Sequence, residues 1–79
     1  MPDVLAAIGW NDDVAAAVEA AHRPDATPGR VSRVDRGLVT VLTEAGRVRA
    51  ARGAVPPATG DWVLVETGDE PTVVEVLPR

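Results

Sequence analysis

Cysteine, lysine, phenylalanine and tyrosine are all missing from this 79-residue sequence, and histidine occurs once, as His22. Each absence removes a class of chemistry. Without cysteine there is no disulfide, no thiolate metal ligand and no thiol nucleophile. Without lysine there is no P-loop, in which that residue reaches the phosphates, and no amine nucleophile. A single histidine meets neither a metal-ligand spacing nor a Ser–His–Asp pattern. Acids adjoin only as Asp12 with Asp13 and as Asp69 with Glu70, at a helix start and in a turn, where both pairs read as solvated. No catalytic and no metal-binding residues are therefore expected. No apolar run approaches the roughly 18 residues of a membrane span, and Asp3 stands where a signal peptide would carry positive charge. The expectation is a soluble, cytoplasmic chain with no membrane partner.

Hydrophobic residues make up 46% of the chain, enough for a folded domain, but they are mostly Val, Ala and Leu, with Trp10 and Trp62 the two aromatics. A chain of this length removes only about 60% of its unfolded surface from water, so its core must be compact. One small domain, and a monomer, is expected. The formal charge is −4, but it is not evenly spread. Residues 1–27 and 56–79 are each acidic, at −4. Residues 28–55 are basic, at +4, because six arginines there oppose only Asp35 and Glu44. Screening beyond about 8 to 10 Å lets such a local patch act despite an acidic total. All the basic residues are arginine, whose planar fork suits phosphate; GC-rich coding would produce the same bias.

Along the chain, residues 3–22 form the only helical stretch. Asn11 followed by Asp12 and Asp13 reads as an N-cap with acids in the first turn, which predicts a short turn before Gly9 and a helix from Asp12 to Ala21. Val14, Val18 and Ala21 make a narrow stripe that, with Ile8 and Trp10, suits a lid or plug on the rest, and His22 falls at the helix end in a capping or surface role. Residues 23–28, with two prolines, read as a linker.

The stretch 28–50 then carries three short strands, with Gly29, Gly37 and Gly46 placed where the chain would turn. Strand one is expected over 30–35, with a bulge near Ser32 and Arg33 that brings both Val31 and Val34 inside. Strand two is expected over 38–43 and strand three over 47–51. A three-residue hairpin at 44–46 opposes Thr43 to Arg47 and Val41 to Arg49, placing Leu38, Leu42 and Val48 inward and Arg47 and Arg49 outward, with stems over Val39 and Val41. A two-residue loop that opposed Glu44 to Arg47 and Leu42 to Arg49 is the alternative. After a proline-rich crossing at 52–60, strands are expected over 61–66 and 72–77, joined by an acidic turn at 67–71. The fold class is all-β, a five-stranded barrel of the oligonucleotide-binding type preceded by a short helical segment, with residues 1–27 as helical segment and linker and 28–79 as barrel. An SH3-like barrel is the competitor.

Arg30, Arg33, Arg36, Arg47, Arg49 and Arg52 are the candidate nucleic-acid-binding residues. A solvated barrel face is the plain alternative for them. Trp62 reads as core before it reads as a base-stacking platform, and with no Phe or Tyr to join it, contact is expected through phosphate and RNA shape.

The ordered set GRVSRVDRG, VLTEAGRVRA, PPATGDWVLV and PTVVEVLPR, after an L-x-x-x-G-W start at residues 5–10, resembles the N-terminal domain of the ribosome small-subunit-dependent GTPase A family, RsgA or YjeQ. The resemblance covers nearly the whole chain. It implies an oligonucleotide-binding barrel followed by a circularly permuted GTPase domain and a zinc-binding domain, acting in late maturation of the small ribosomal subunit, with the barrel touching rRNA near the decoding region. The implied partners are the small ribosomal subunit, its rRNA and the family's own GTPase domain. This sequence stops at Pro78 and Arg79, where the GTPase domain would begin, which reads as an excised or truncated form. The chain is therefore not expected to be an enzyme or to carry a cofactor; GTP and zinc are expected only in the domains it lacks. Arg36 and Gly37 occupy the first interstrand loop, a contact position in this fold, while the acidic loop at 67–71 fits phosphate badly. A barrel that docks on protein, without RNA contact, is the second expectation.

Overall fold

A computed structural model describes residues 7–53 and 56–77. Leu5 of the L-x-x-x-G-W start, Ala54 and Val55 of the crossing, Pro78, Arg79 and the beginning of the expected turn before Gly9 lie outside the described residues. Helix α1 spans Asp12–Ala21, as its signals predict. The Asn11 side chain accepts the Val14 N–H at 3.0 Å, and Asp12 and Asp13 fill the first turn. His22 ends the helix in the left-handed region at φ 53°, its N–H returning to the Glu19 carbonyl.

Five strands follow: β1 at Ala26–Asp35, β2 at Leu38–Thr43, β3 at Gly46–Ala51, β4 at Trp62–Glu66 and β5 at Thr72–Val76. They close a barrel in the order β1-β2-β3-β5-β4, antiparallel except where Ala51 of β3 meets Thr72 of β5 in parallel. The centre is built from valine, the β-branched residue that suits a half-buried pleated surface. Val31, Val39, Val41, Val63, Val65 and Val73 are buried with Ala50, and Val48 and Val76 pack against them. Burying each valine contributes about 1.5–3 kcal/mol.

β1 begins four residues earlier than expected, inside the stretch read as a linker. Residues 26–30 pair with β4, whereas pairing with β2 begins only at Gly29. Pro28 thus sits where one strand edge is still free, so its missing N–H costs no ladder bond there. Gly29 does not turn the chain. It is buried at the crossing of the two pairings, where an added Cβ would overlap Val41 Cγ1 and come within 2.8 Å of the Leu42 carbonyl. The bulge lies where predicted, between Val31 and Arg33, but it buries only Val31; Val34 remains 39% exposed near the strand end.

The β2–β3 hairpin has neither of the two expected registers: Leu42, not Thr43 or Glu44, opposes Arg47, and Thr40, not Val41 or Leu42, opposes Arg49. Thr43 opposes Gly46, so the connection is Glu44 and Ala45 alone, and Val41 faces Val48 while Val39 faces Ala50. Val39, Val41 and Thr43 point inward; Leu38, expected inside, is 43% exposed and Leu42 is half-buried. The buried Thr43 hydroxyl accounts for the difference, since it donates to the Gly46 carbonyl at 2.8 Å and accepts the Ala45 N–H at 3.2 Å. These bonds satisfy a polar group on the core face and fix a two-residue turn.

Candidate nucleic-acid interface

Two outer sides of the barrel receive arginines, and they differ. On the β1–β4 side, Arg30 pairs across to Trp62. Its Nε donates to the Gly60 carbonyl at 3.0 Å and its Nη1 to the Ile8 carbonyl at 2.6 Å, while the guanidinium carbon lies 5.8 Å from the Trp62 ring centroid. Trp10 meets Trp62 edge-on, with centroids 5.5 Å apart and planes at 81°. Leu64, which alternation turns outward, is fully buried. Helix α1 shares a groove here through Asp13, Val14 and Ala17, together with Arg30, Trp62 and Leu77, but buries none of its own residues. It covers a side of the barrel without plugging its core, and Arg23 ties its far end to Glu75 at 3.3 Å.

On the β1–β2–β3 side nothing is stacked over the sheet among the described residues. Register sets Arg33 opposite Thr40 and Thr40 opposite Arg49, so the three side chains share one row; the next runs Trp62, Arg30, Leu42 and Arg47, with the Arg30 guanidinium turned to the Trp62 end. Ser32, Arg33, Asp35, Thr40, Leu42, Arg47 and Arg49 line an open groove. Adjacent strands lie about 4.8 Å apart, so the backbones carrying Arg33 and Arg49 are separated by roughly 10 Å. Arg47 and Arg49 are exposed and outward, as expected, although their stems lie beside Leu42 and Thr40 and not over Val39 and Val41. Arg33 donates from Nε to Asp35 Oδ2 at 3.0 Å, and Ser32 donates to the Thr40 carbonyl at 3.3 Å.

Arg36 and Gly37 form the β1–β2 turn with φ of 30° and 90°, both positive, as a two-residue turn of the hairpin-matching hand requires. A left-handed arginine costs about 1 kcal/mol or more, and such strain concentrates at functional positions. The Arg52 N–H donates to the Gly37 carbonyl at 3.0 Å, so the exposed Arg36 and Arg52 belong to the same barrel end. The acidic β4–β5 turn emerges there too, because the Ala51 N–H donates to the Pro71 carbonyl at 2.8 Å. Arg33, Arg36, Arg47, Arg49 and Arg52 thus lie on or beside one bare face, whereas Arg30 is bonded away from it. Sequence reasoning did not separate Arg30 from the others, and strand register does not either, since Arg30 opposes both Leu42 and Trp62; its bonds to the Gly60 and Ile8 carbonyls divert it.

Among the described residues no group of three or more His, Asp or Glu side chains is placed to hold a metal ion, and no helix is long and apolar enough to cross a membrane. The strand order and the parallel β3–β5 closure define an oligonucleotide-binding-type barrel, in which the β2–β3 face and the β1–β2 and β4–β5 loops are the customary ligand side. The sequence is 42% identical to the small ribosomal subunit biogenesis GTPase RsgA of Streptomyces coelicolor and 39% identical to RsgA of Streptomyces avermitilis, over 83 residues and 95% of this chain in each case. The match falls in the N-terminal region of those proteins, so the resemblance to the N-terminal barrel of the RsgA family holds. The chain spans about a quarter of the length of these relatives, 23% and 22%. The solved structure of YloQ, a circularly permuted GTPase, shares the fold at a TM-score of 0.56 and 18% identity, over 73% of this chain and 24% of that one. No family model matches the sequence.

Proposed function

We propose that this chain is the RNA-contacting barrel of a small-ribosomal-subunit biogenesis GTPase, serving to bind and not to hydrolyse. Its partners are the small subunit with its rRNA and a GTPase domain, and it works in the cytoplasm as a monomer, without cofactor or metal of its own. The observation that carries this reading is the exposed pair Arg47 and Arg49 on the uncovered β2–β3 face, with Thr40 and Arg33 continuing the row of Arg49. Guanidinium groups held on a rigid sheet meet phosphates with little ordering cost, and the face has no aromatic platform for stacking single bases. Contacts of this kind position RNA without reading its sequence.

The test is a salt titration of the purified chain against small ribosomal subunits, with free duplex RNA as control. Saturable binding that weakens with a log–log slope of about −0.7 to −0.9 per phosphate contact supports the reading. Absence of subunit binding at low salt overturns it in favour of a protein-docking barrel, for which the exposed Val34 and Leu38 at the β1–β2 tip are the specific observation.

A further inference from the structure

The bare face carries its own competing anion. Asp35 pairs with Leu38 in the row next to Arg33 and Thr40, lines the same groove as Arg47 and Arg49, and holds Arg33 through Nε at 3.0 Å. Both partners are solvent-accessible, with side-chain exposures of 74% for Arg33 and 42% for Asp35. The carboxylate is covalently fixed in the groove two residues from Arg33, so a phosphate approaching that guanidinium meets a like charge already bound to it.

From this geometry we infer that Asp35 is an affinity-limiting residue of the RNA face: it neutralises Arg33 and sets how tightly the groove holds a phosphate backbone. The inference rests on the reading of this face as an RNA contact. Within the groove, Arg47 and Arg49 supply the phosphate contacts of the native chain. Arg33 becomes an additional contact only when Asp35 is removed. The charged groups near Asp35 are Arg33 itself, Arg36, the next residue, and Arg52 at the same barrel end, where the acidic β4–β5 turn also emerges, and the wall facing it across the groove carries Arg47 and Arg49. Asp35 is thus the sole acid among the groove's lining residues.

Measuring duplex RNA affinity against salt for four proteins tests this: native chain, Asp35→Asn, the paired Arg33→Ala with Asp35→Asn, and Arg47→Ala with Arg49→Ala. Glu19→Gln on α1 serves as a control that removes the same charge from an exposed position on the helix. Asp35→Asn is expected to tighten binding about three- to tenfold near 0.1 M salt and to steepen the slope by about 0.7 to 0.9, one further contact. The paired variant is expected to return to within about twofold of the native affinity, with the native slope. Glu19→Gln is expected to change little. If Asp35→Asn leaves the slope unchanged, or does no more than Glu19→Gln, the inference is overturned while RNA binding through Arg47 and Arg49 stands. If the paired variant binds as weakly as the variant lacking Arg47 and Arg49, Arg33 already contacts phosphate and the inference is again overturned. Failure of every protein, Asp35→Asn included, to bind duplex RNA overturns the inference, while the functional reading is decided separately by the subunit titration.

Discussion

Arg30 and Arg33 stand three residues apart on one strand, and the fold uses them in opposite ways. Arg30 turns to the β4 side, donates to two backbone carbonyls and lies against Trp62, so its charge fastens the segment around Ile8 to the barrel. Arg33, beyond the bulge, faces an uncovered groove and holds only the exposed carboxylate of Asp35. The difference follows from where each stands on β1: Arg30 lies between Leu42 of β2 and Trp62 of β4 and bends to the ring, whereas Arg33, beyond the bulge and beyond the β4 pairing, has only Thr40 across from it. One residue type fastens the fold where carbonyls and a ring surround it, and stays at the open surface, held by a single carboxylate, where they do not.

If the two sides are separate in role, damage to the covered side should lower stability and spare RNA affinity. Trp62→Ala gives the largest effect, a loss of about 3 kcal/mol in chemical denaturation, because it removes a large half-buried ring and its edge-on contact with Trp10. Arg30→Met, which keeps the stem but strands two carbonyls, is expected to cost about 2 kcal/mol and to leave the salt slope of RNA binding unchanged. On the bare side the pattern reverses. Arg47→Ala with Arg49→Ala should weaken duplex RNA binding about tenfold near 0.1 M salt and flatten the slope by about 1.4 to 1.8, with an unfolding midpoint close to the native one. The smallest effect sharpens the comparison most. Arg36→Asn should relieve left-handed strain, raising stability by about 0.5 kcal/mol, while RNA affinity falls a few-fold. Opposite signs at one residue mark a position held for binding at some expense of folding.

The helix was legible because its signals are local: Asn11, the two acids after it and the stripe of small apolar residues fix both its start and its end. The strand count and the oligonucleotide-binding class were legible from spacing and turn residues. The inward face of β2 was not, because Leu38 and Leu42 on one parity and Val39 and Val41 on the other are equally apolar. The deciding contribution is Thr43, whose hydroxyl is satisfied by its own hairpin turn and so tolerates burial. The start of β1 was hidden behind Pro24 and Pro28, which read as a linker until the free edge beside residues 26–28 is known. Of the candidate site, the loop position of Arg36 followed from its turn residues, and the outward Arg47 and Arg49 followed from their alternation with the inward Val48, although the expected hairpin register was wrong. The diversion of Arg30 and the pairing of Arg33 with Asp35 depend on a long-range strand pairing and on the side-chain geometry beside the bulge, neither of which spacing reports.

Whether the covered and bare sides act separately is decided by adding duplex RNA to the isotope-labelled chain and following individual NMR signals. The account predicts shifts concentrated at the backbone amides of Thr40, Leu42, Arg47 and Arg49, with the indole signals of Trp10 and Trp62 unmoved. Shifts centred on the two indoles, with the β2–β3 amides silent, would contradict it.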